Sequence, residues 1–143
     1  MSAPRLDRAW LEANLPHRGA MSLLDGVARW DGTSIHAVAS GHRAPDHPLR
    51  RANELPIAAG IEYGAQATAA HGALVSGRPS GDGFLASVRT VRFHARRLDD
   101  VEGTLGVFAE QLGSTDQGVL YRFVVSAAGS PLVEGRITVA RRR

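Results

Sequence analysis

The sequence predicts an α+β domain in which an antiparallel sheet of about six strands wraps around one long central helix. The first observation is a period-two alternation in the C-terminal half. Between Leu132 and Arg141, for example, valine, glycine and isoleucine share one face, and glutamate, arginine and threonine share the other. Such alternation is typical of an antiparallel sheet with one face on the core. The second observation is an alanine-rich segment, residues 56–75, whose small side chains would let a sheet pack closely around a helix.

The segment before this helix predicts a short helix and a hairpin. Asp31 and Gly32 are typical of a tight turn between two strands. After the turn, Ile35, Ala37 and Ala39 fall on one face of the second strand, as expected for a half-buried strand. The predicted elements are a helix at Leu6–Asn14 and strands at Leu23–Trp30 and Thr33–Gly41.

A loop rich in helix breakers, residues 41–55, separates the hairpin from the central helix. Proline is tolerated in the first turn of a helix, so we predict that the helix begins at Pro56 and ends near Val75. Turn residues follow at 77–83. The four predicted strands after them are Phe84–His94, Gly103–Leu112, Gly118–Ala127 and Leu132–Arg141.

Composition limits the chemistry that the chain can perform. Its 143 residues predict a single domain, residues 1–143. Cysteine is absent, which excludes thiolate metal sites and cysteine nucleophiles and suits a reducing cytoplasm. All 17 basic residues are arginine, so lysine Schiff-base chemistry is excluded as well. With a net charge of +3 and no basic stripe interleaved with aromatics, we expect an acidic protein partner and neither nucleic acid nor membrane.

Glu62 is the unusual residue of the central helix. The helix is apolar or small nearly all round, which is typical of a buried helix, and burial of a carboxylate is costly unless it is paired or protonated. An acid or base function is one explanation for such a residue. The alternative is an ordinary first-turn carboxylate that complements the helix dipole.

Two motifs resemble the β-hydroxyacyl-ACP dehydratases of fatty acid synthesis. The first is Pro56-x5-Glu62-x3-Gln66, which is similar to the central helix of that family, and the second is Leu-Pro-His-Arg at residues 15–18, which is similar to the family's lead into its first strand. The chain resembles above all the divergent dehydratase-like branch of aryl-polyene and related polyketide gene clusters. The resemblance implies a hotdog fold and elimination of water from a 3-hydroxyacyl chain on acyl carrier protein, to give the trans-2-enoyl form.

The resemblance also implies roles for individual residues. In the dehydratases a histidine is the base, and the helix carboxylate is the acid, and the two come from different subunits. Carried over, this makes Glu62 the acid, with a pKa raised by burial, and His47 the candidate base. Gly60 and Gln66 are expected to contact the substrate. No cofactor is implied, and the expected partners are acyl carrier protein and a second chain, either a copy of this one or a related dehydratase subunit.

The loop before the helix departs from the family pattern. The dehydratases carry the catalytic histidine in a Gly-His-Phe-Pro-Gly motif, and this motif is absent from residues 46–55. The base therefore stays open between His47, His42 and a partner chain. Two alternative functions follow: a catalytically weak partner subunit of a dehydratase heterodimer, and a hotdog acyl thioesterase in which the acidic residue activates water.

The remaining histidines are expected to be structural. His17 belongs to the Leu-Pro-His-Arg motif, which is structural in the family. His71 is rotated by about half a turn from Glu62 on the helix, so it cannot partner Glu62 within one chain. His94 lies among arginines and is expected on the surface. No spacing of ligands predicts a metal site.

Overall fold

A computed structural model describes residues 6–80 and 86–140 of the chain. They form two α-helices and six strands. The helices are α1 (Arg8–Asn14) and α2 (Ala59–Ser76), and the strands are β1 (Gly26–Trp30), β2 (Ser34–Ala39), β3 (Ala86–Phe93), β4 (Leu105–Ser114), β5 (Gly118–Ala127) and β6 (Ser130–Ala140). Neither helix of this described part combines the length and the apolar character that crossing a bilayer requires.

The six strands form one antiparallel sheet in the order β1-β2-β4-β5-β6-β3. Helix α2 packs on one face of this sheet, where it contacts β2, β4, β5 and β6. The residues of α2 that face the sheet are buried together with the inward-facing side chains of the strands, so the core lies between helix and sheet. The predicted architecture of a six-stranded antiparallel sheet around one long helix is confirmed.

The ends of several elements differ from the prediction. Helix α2 begins at Ala59 because Pro56 still forms an isolated bridge with Arg97, and the amide of Ala59 donates to the Pro56 carbonyl in a tighter turn. Strand β1 begins at Gly26, three residues later than predicted. Parts of two predicted strands, Phe84, Leu85 and Arg141, and of the predicted turn, residues 81–83, lie outside the described residues.

Two glycines of α2 allow the helix to approach the sheet. A Cβ atom added to Gly60 would lie 2.3 Å from Val133 Cγ1, and one added to Gly64 would lie 2.5 Å from Phe123 Cδ2. Both distances are far below van der Waals contact, and Val133 and Phe123 are fully buried. Gly60, which we expected to contact substrate, therefore has a packing role, and a substrate contact for it stays a prediction.

Ion pairs hold the segment that leads into α2 against the segment that follows β3. The Asp99 carboxylate accepts the Leu55 amide at 2.9 Å and pairs with the guanidinium groups of Arg97 and Arg50. Hydrogen bonding from Arg97 above all holds the pKa of Asp99 well below its usual range. The entrance of the chain into α2 is thus fixed by a carboxylate that stays ionised at all ordinary pH values.

We predict that Gly64→Ala destabilises the protein by about 1–3 kcal/mol, because its methyl group would overlap the buried Phe123 ring. Gly72→Ala is the matched control in the same helix, since a Cβ there meets open space. It should stabilise the protein by up to about 1 kcal/mol through helix propensity. Urea unfolding of the two variants measures both effects, and a Gly64→Ala protein as stable as the wild type would contradict the close packing.

Candidate active site

Glu62 lies in the first turn of α2, where about a third of its side chain (34%) is exposed. Two nitrogen atoms approach the same carboxylate oxygen, Oε1: His17 Nε2 at 3.3 Å and Gln66 Nε2, which donates a hydrogen bond at 3.3 Å. Among the described residues Oε2 has no such partner. The protein therefore holds Oε1 in place and leaves Oε2 available for another group.

Gln66 is buried and fastens the N-terminal segment to α2. Its Oε1 accepts the Leu23 amide at 2.9 Å, and its Nε2 donates to the Met21 carbonyl at 2.7 Å as well as to Glu62. Both amide hydrogens are thus used within the chain. Gln66 positions Glu62 and the segment after the Leu-Pro-His-Arg motif, while the substrate contact that we expected for it stays a prediction.

His17 reaches Glu62 from the loop that follows α1. Glu12 holds this loop: its carbonyl accepts Arg18 Nη1 at 2.8 Å, and its Oε1 accepts the Gly19 amide at 3.1 Å. The two sequence motifs thus meet at one point, which their separate positions in the sequence did not reveal. The structural role expected for His17 did not include this contact with Glu62. Both motifs resemble the same family, and this shared resemblance is the signal that could have indicated that they meet.

The ionisation of Glu62 differs from the prediction. Hydrogen bonding from His17 is the largest effect and lowers the pKa of Glu62, and the Gln66 amide and the His17 charge lower it further. Burial acts in the opposite direction but does not prevail. The predicted rise of the pKa was wrong because two donors at Oε1 stabilise the carboxylate more than partial burial disfavours it.

His47 is buried in the loop before α2, and its hydrogen bonds determine its tautomer. The Leu49 amide donates to His47 Nδ1 at 3.1 Å, so the lone pair is on Nδ1 and the ring proton is on Nε2. Nε2 then donates to the Tyr63 hydroxyl at 3.0 Å. Burial, followed by the charges of Arg50 and His42, lowers the pKa of His47. The ring is therefore neutral near pH 7, and neither nitrogen has a free lone pair.

The structure does not bring His47 and Glu62 together within one chain. His47 contacts Tyr63, the next residue of α2, whose side chain is rotated by about 100° from that of Glu62. A cavity of about 190 Å³ lies beside His47 and Tyr63 and is also lined by Arg8, Ser22 and Asp46, but not by Glu62.

The other histidines make structural contacts. His42 is fully buried, with Nε2 at 2.8 Å from the Val101 carbonyl, so a substrate cannot reach it in this conformation. His71 is also fully buried and contacts the Tyr121 hydroxyl and the Asp31 carbonyl. Within residues 6–80 and 86–140, no group of three or more histidine, aspartate or glutamate side chains is arranged to hold a metal ion.

We predict that Glu62→Gln lowers the free energy of unfolding at pH 7 by less than about 1 kcal/mol, because partial exposure screens the lost charge. The folded-state pKa of Glu62 lies below the unfolded value of about 4.3. The stabilisation by Glu62 is therefore fully present above about pH 4.3 and is lost as the pH falls through the folded-state pKa. Urea unfolding of both proteins at several pH values measures this, and a constant difference between them would contradict it.

Solved structures similar to this chain share its fold. The dehydratase heterocomplex ApeI:P from Xenorhabdus doucetiae is 20% identical, with a TM-score of 0.75 over 93% of this chain and 91% of that chain. AziG from S. sahachiroi is 19% identical, with a TM-score of 0.61 over 84% and 91%. The thioesterase HI1161 from Haemophilus influenzae is 12% identical, with a TM-score of 0.54 over 80% and 76%. At these identities the likeness shows the hotdog fold alone.

Sequence comparison gives the family. No curated protein matches the chain significantly. The model of the family described as ApeP-like, ApeP dehydratase, matches residues 10–143. Because this match covers nearly the whole sequence, the chain belongs to the ApeP-like dehydratase family.

Proposed function

We propose that this chain is one subunit of a dehydratase that eliminates water from 3-hydroxyacyl chains on acyl carrier protein, with Glu62 as the acid. The observation that carries the proposal is the Glu62 carboxylate, whose Oε1 is held by His17 and Gln66 while Oε2 is presented. In the elimination a base removes the Cα proton, the double bond forms as the C–O bond breaks, and the departing hydroxide takes the proton of Glu62 to leave as water.

The two donors at Oε1 support an acid role in one respect and oppose it in another. They stabilise the carboxylate that remains after proton transfer, so they make Glu62 a stronger acid. They also keep most Glu62 side chains ionised near pH 7 in the free chain. An apolar acyl chain over the exposed third of Glu62 would exclude water and raise its pKa toward the working pH.

The base in this proposal comes from a partner chain. Proton removal needs a free lone pair, and His47 has its proton on Nε2 while its Nδ1 accepts the Leu49 amide. The ApeI:P structure is a heterocomplex of a dehydratase, which supports a second and different subunit for this chain. The dehydratase hypothesis and the partner-subunit hypothesis are therefore compatible: this chain contributes the acid, and its partner contributes the base.

The edge strand β3 is the proposed contact with the partner. It is one of the two edges of the sheet, and its Val88 and Phe93 are 37% and 50% exposed, although both pair with buried residues of β6. An edge with exposed apolar side chains is prone to pair with another chain.

Three arginines support an acidic carrier. Arg89, Arg136 and Arg122 occupy directly opposite positions on β3, β6 and β5, on the face of the sheet away from α2. Like charges at such positions destabilise a sheet. Arg122 lies 3.7 Å from Glu110, whereas Arg89 and Arg136 have no ion pair within the described residues. An acidic protein near this row would relieve the repulsion and be steered by it.

A second candidate function is hydrolysis of the thioester. A Glu62 that is ionised near pH 7 could activate a water molecule, which is the role that a thioesterase requires. The products separate the two functions, because hydrolysis releases a free thiol whereas dehydration leaves the thioester intact.

We predict that Glu62→Gln lowers dehydration of 3-hydroxyacyl-ACP by about 100-fold or more, because the amide has no acidic proton. The enoyl product is measured with the chain alone and mixed with any dehydratase encoded beside it. Glu102→Gln, at an exposed glutamate of the loop before β4, is the matched control. His47→Gln, which can still donate to Tyr63, should retain activity. Full activity of Glu62→Gln would remove the acid assignment, and Glu62-dependent release of thiol would replace dehydration by hydrolysis.

We predict that the chain is at least a dimer, with itself or with the partner subunit. Phe93→Asp should weaken the association because it places a charge on the exposed edge of β3. Leu112→Asp is the control, since Leu112 is an exposed leucine of β4. Sedimentation measures the mass against 15.2 kDa for one chain. A single species of that mass, both alone and with the partner, would refute the prediction.

A further inference from the structure

The contact between His17 and Glu62 is unlike the contacts of the buried histidines. His42 and His71 each bond a backbone carbonyl, and His47 accepts a backbone amide, so these three rings hold the fold together. His17 makes its one polar contact within the described residues with the Glu62 carboxylate. The one polar partner of His17 is therefore a carboxylate that is about a third exposed, and not a backbone group of the fold.

The polarity of this contact is fixed by chemistry. A carboxylate oxygen only accepts, so the proton of His17 must lie on Nε2, at 3.3 Å from Glu62 Oε1. The other ring nitrogen, Nδ1, is buried without a hydrogen-bond partner in the described residues. The distance is longer than an optimal hydrogen bond, as is common for catalytic groups before substrate binds.

His17 and Gln66 both contact Oε1, but Gln66 is fixed more firmly than His17. Gln66 is locked to the Met21 carbonyl and the Leu23 amide, so its donor is immobile. His17 lies on a loop and is a quarter exposed, and it is the titratable side chain within ion-pair distance of Glu62 in the described part of the chain. The helix itself adds only the uncharged Gln66 at this oxygen.

We propose that His17 is a positioning residue for Glu62: it holds Oε1 so that Oε2 faces the acyl substrate, and it controls the proton affinity of the carboxyl group. This role rests on the proposed function of Glu62 as the acid. It explains why the Leu-Pro-His-Arg motif contains a histidine. His17 holds Glu62 in the reacting position and does not itself contact the substrate.

The test compares two substitutions that differ in one property. His17→Phe keeps a flat ring but has no donor, whereas His17→Gln retains an N–H that can reach Oε1. His36→Phe is the control, because His36 lies on the outer face of the sheet beside Phe108. Two quantities are measured: the titration of the Glu62 carboxyl carbon by NMR in the intact chain, and the pH profile of kcat/KM for dehydration with the partner present.

In His17→Phe the Glu62 titration should move to higher pH, because the largest cause of its lowered pKa is gone and burial still acts. The falling limb of the pH profile should move in the same direction, with kcat reduced about 10-fold or more. His17→Gln should restore both, and His36→Phe should change neither. An unchanged titration and profile in His17→Phe would overturn the proposal. Should no dehydration be found in the wild type, the proposed function fails, while the NMR titration still decides whether His17 controls Glu62.

Discussion

The side-chain amide of Gln66 is the contact on which the geometry of the site depends. It satisfies the backbone amide of Leu23 and the carbonyl of Met21, two groups that would otherwise be left unpaired next to a buried helix. By doing so it fixes the segment between α1 and β1 against α2, and this places the loop of His17 beside Glu62. A single amide thus joins two parts of the sequence that carry the two motifs, and it also donates to the carboxylate that they share.

The position of Glu62 follows from the packing of the opposite side of the helix. Gly60 and Gly64 bring α2 so close to Val133 and Phe123 that no Cβ fits between them. The helix cannot rotate about its axis without separating these surfaces, so the face with Glu62 is held toward the N-terminal loop. The two glycines that bring the helix against the sheet therefore also orient the carboxylate.

The sequence predicted most of the sheet well because β2, β4, β5 and β6 bury alternate residues, which gives their sequences a period of two. Strand β5 was predicted to the residue, at Gly118–Ala127. The start of α2 was predicted three residues early, because Pro56 fits a first helical turn but is held in a bridge by Arg97. The contact of His17 with Glu62 was not predicted, and neither was the lowered pKa of Glu62. Both depend on which loop covers the first turn of the helix, and local periodicity carries no information on that.

The hydrogen bonds of Glu62 and His47, the two candidate catalytic residues, differ in which atoms they leave free. A dehydration needs one group that gives a proton and another that takes one. The donors around Glu62 contact Oε1 and leave Oε2 available. His47 Nε2 could act as a base only if the ring proton were on Nδ1. Nδ1 instead accepts a hydrogen bond from the Leu49 amide, so it carries no proton. Like the dehydratases that the sequence resembles, the chain has a histidine before the central helix and a carboxylate on it. His47 Nε2, however, carries a proton and donates it to the Tyr63 hydroxyl. In the proposed function the chain therefore supplies the acid, and a partner chain supplies a free imidazole lone pair for the Cα proton.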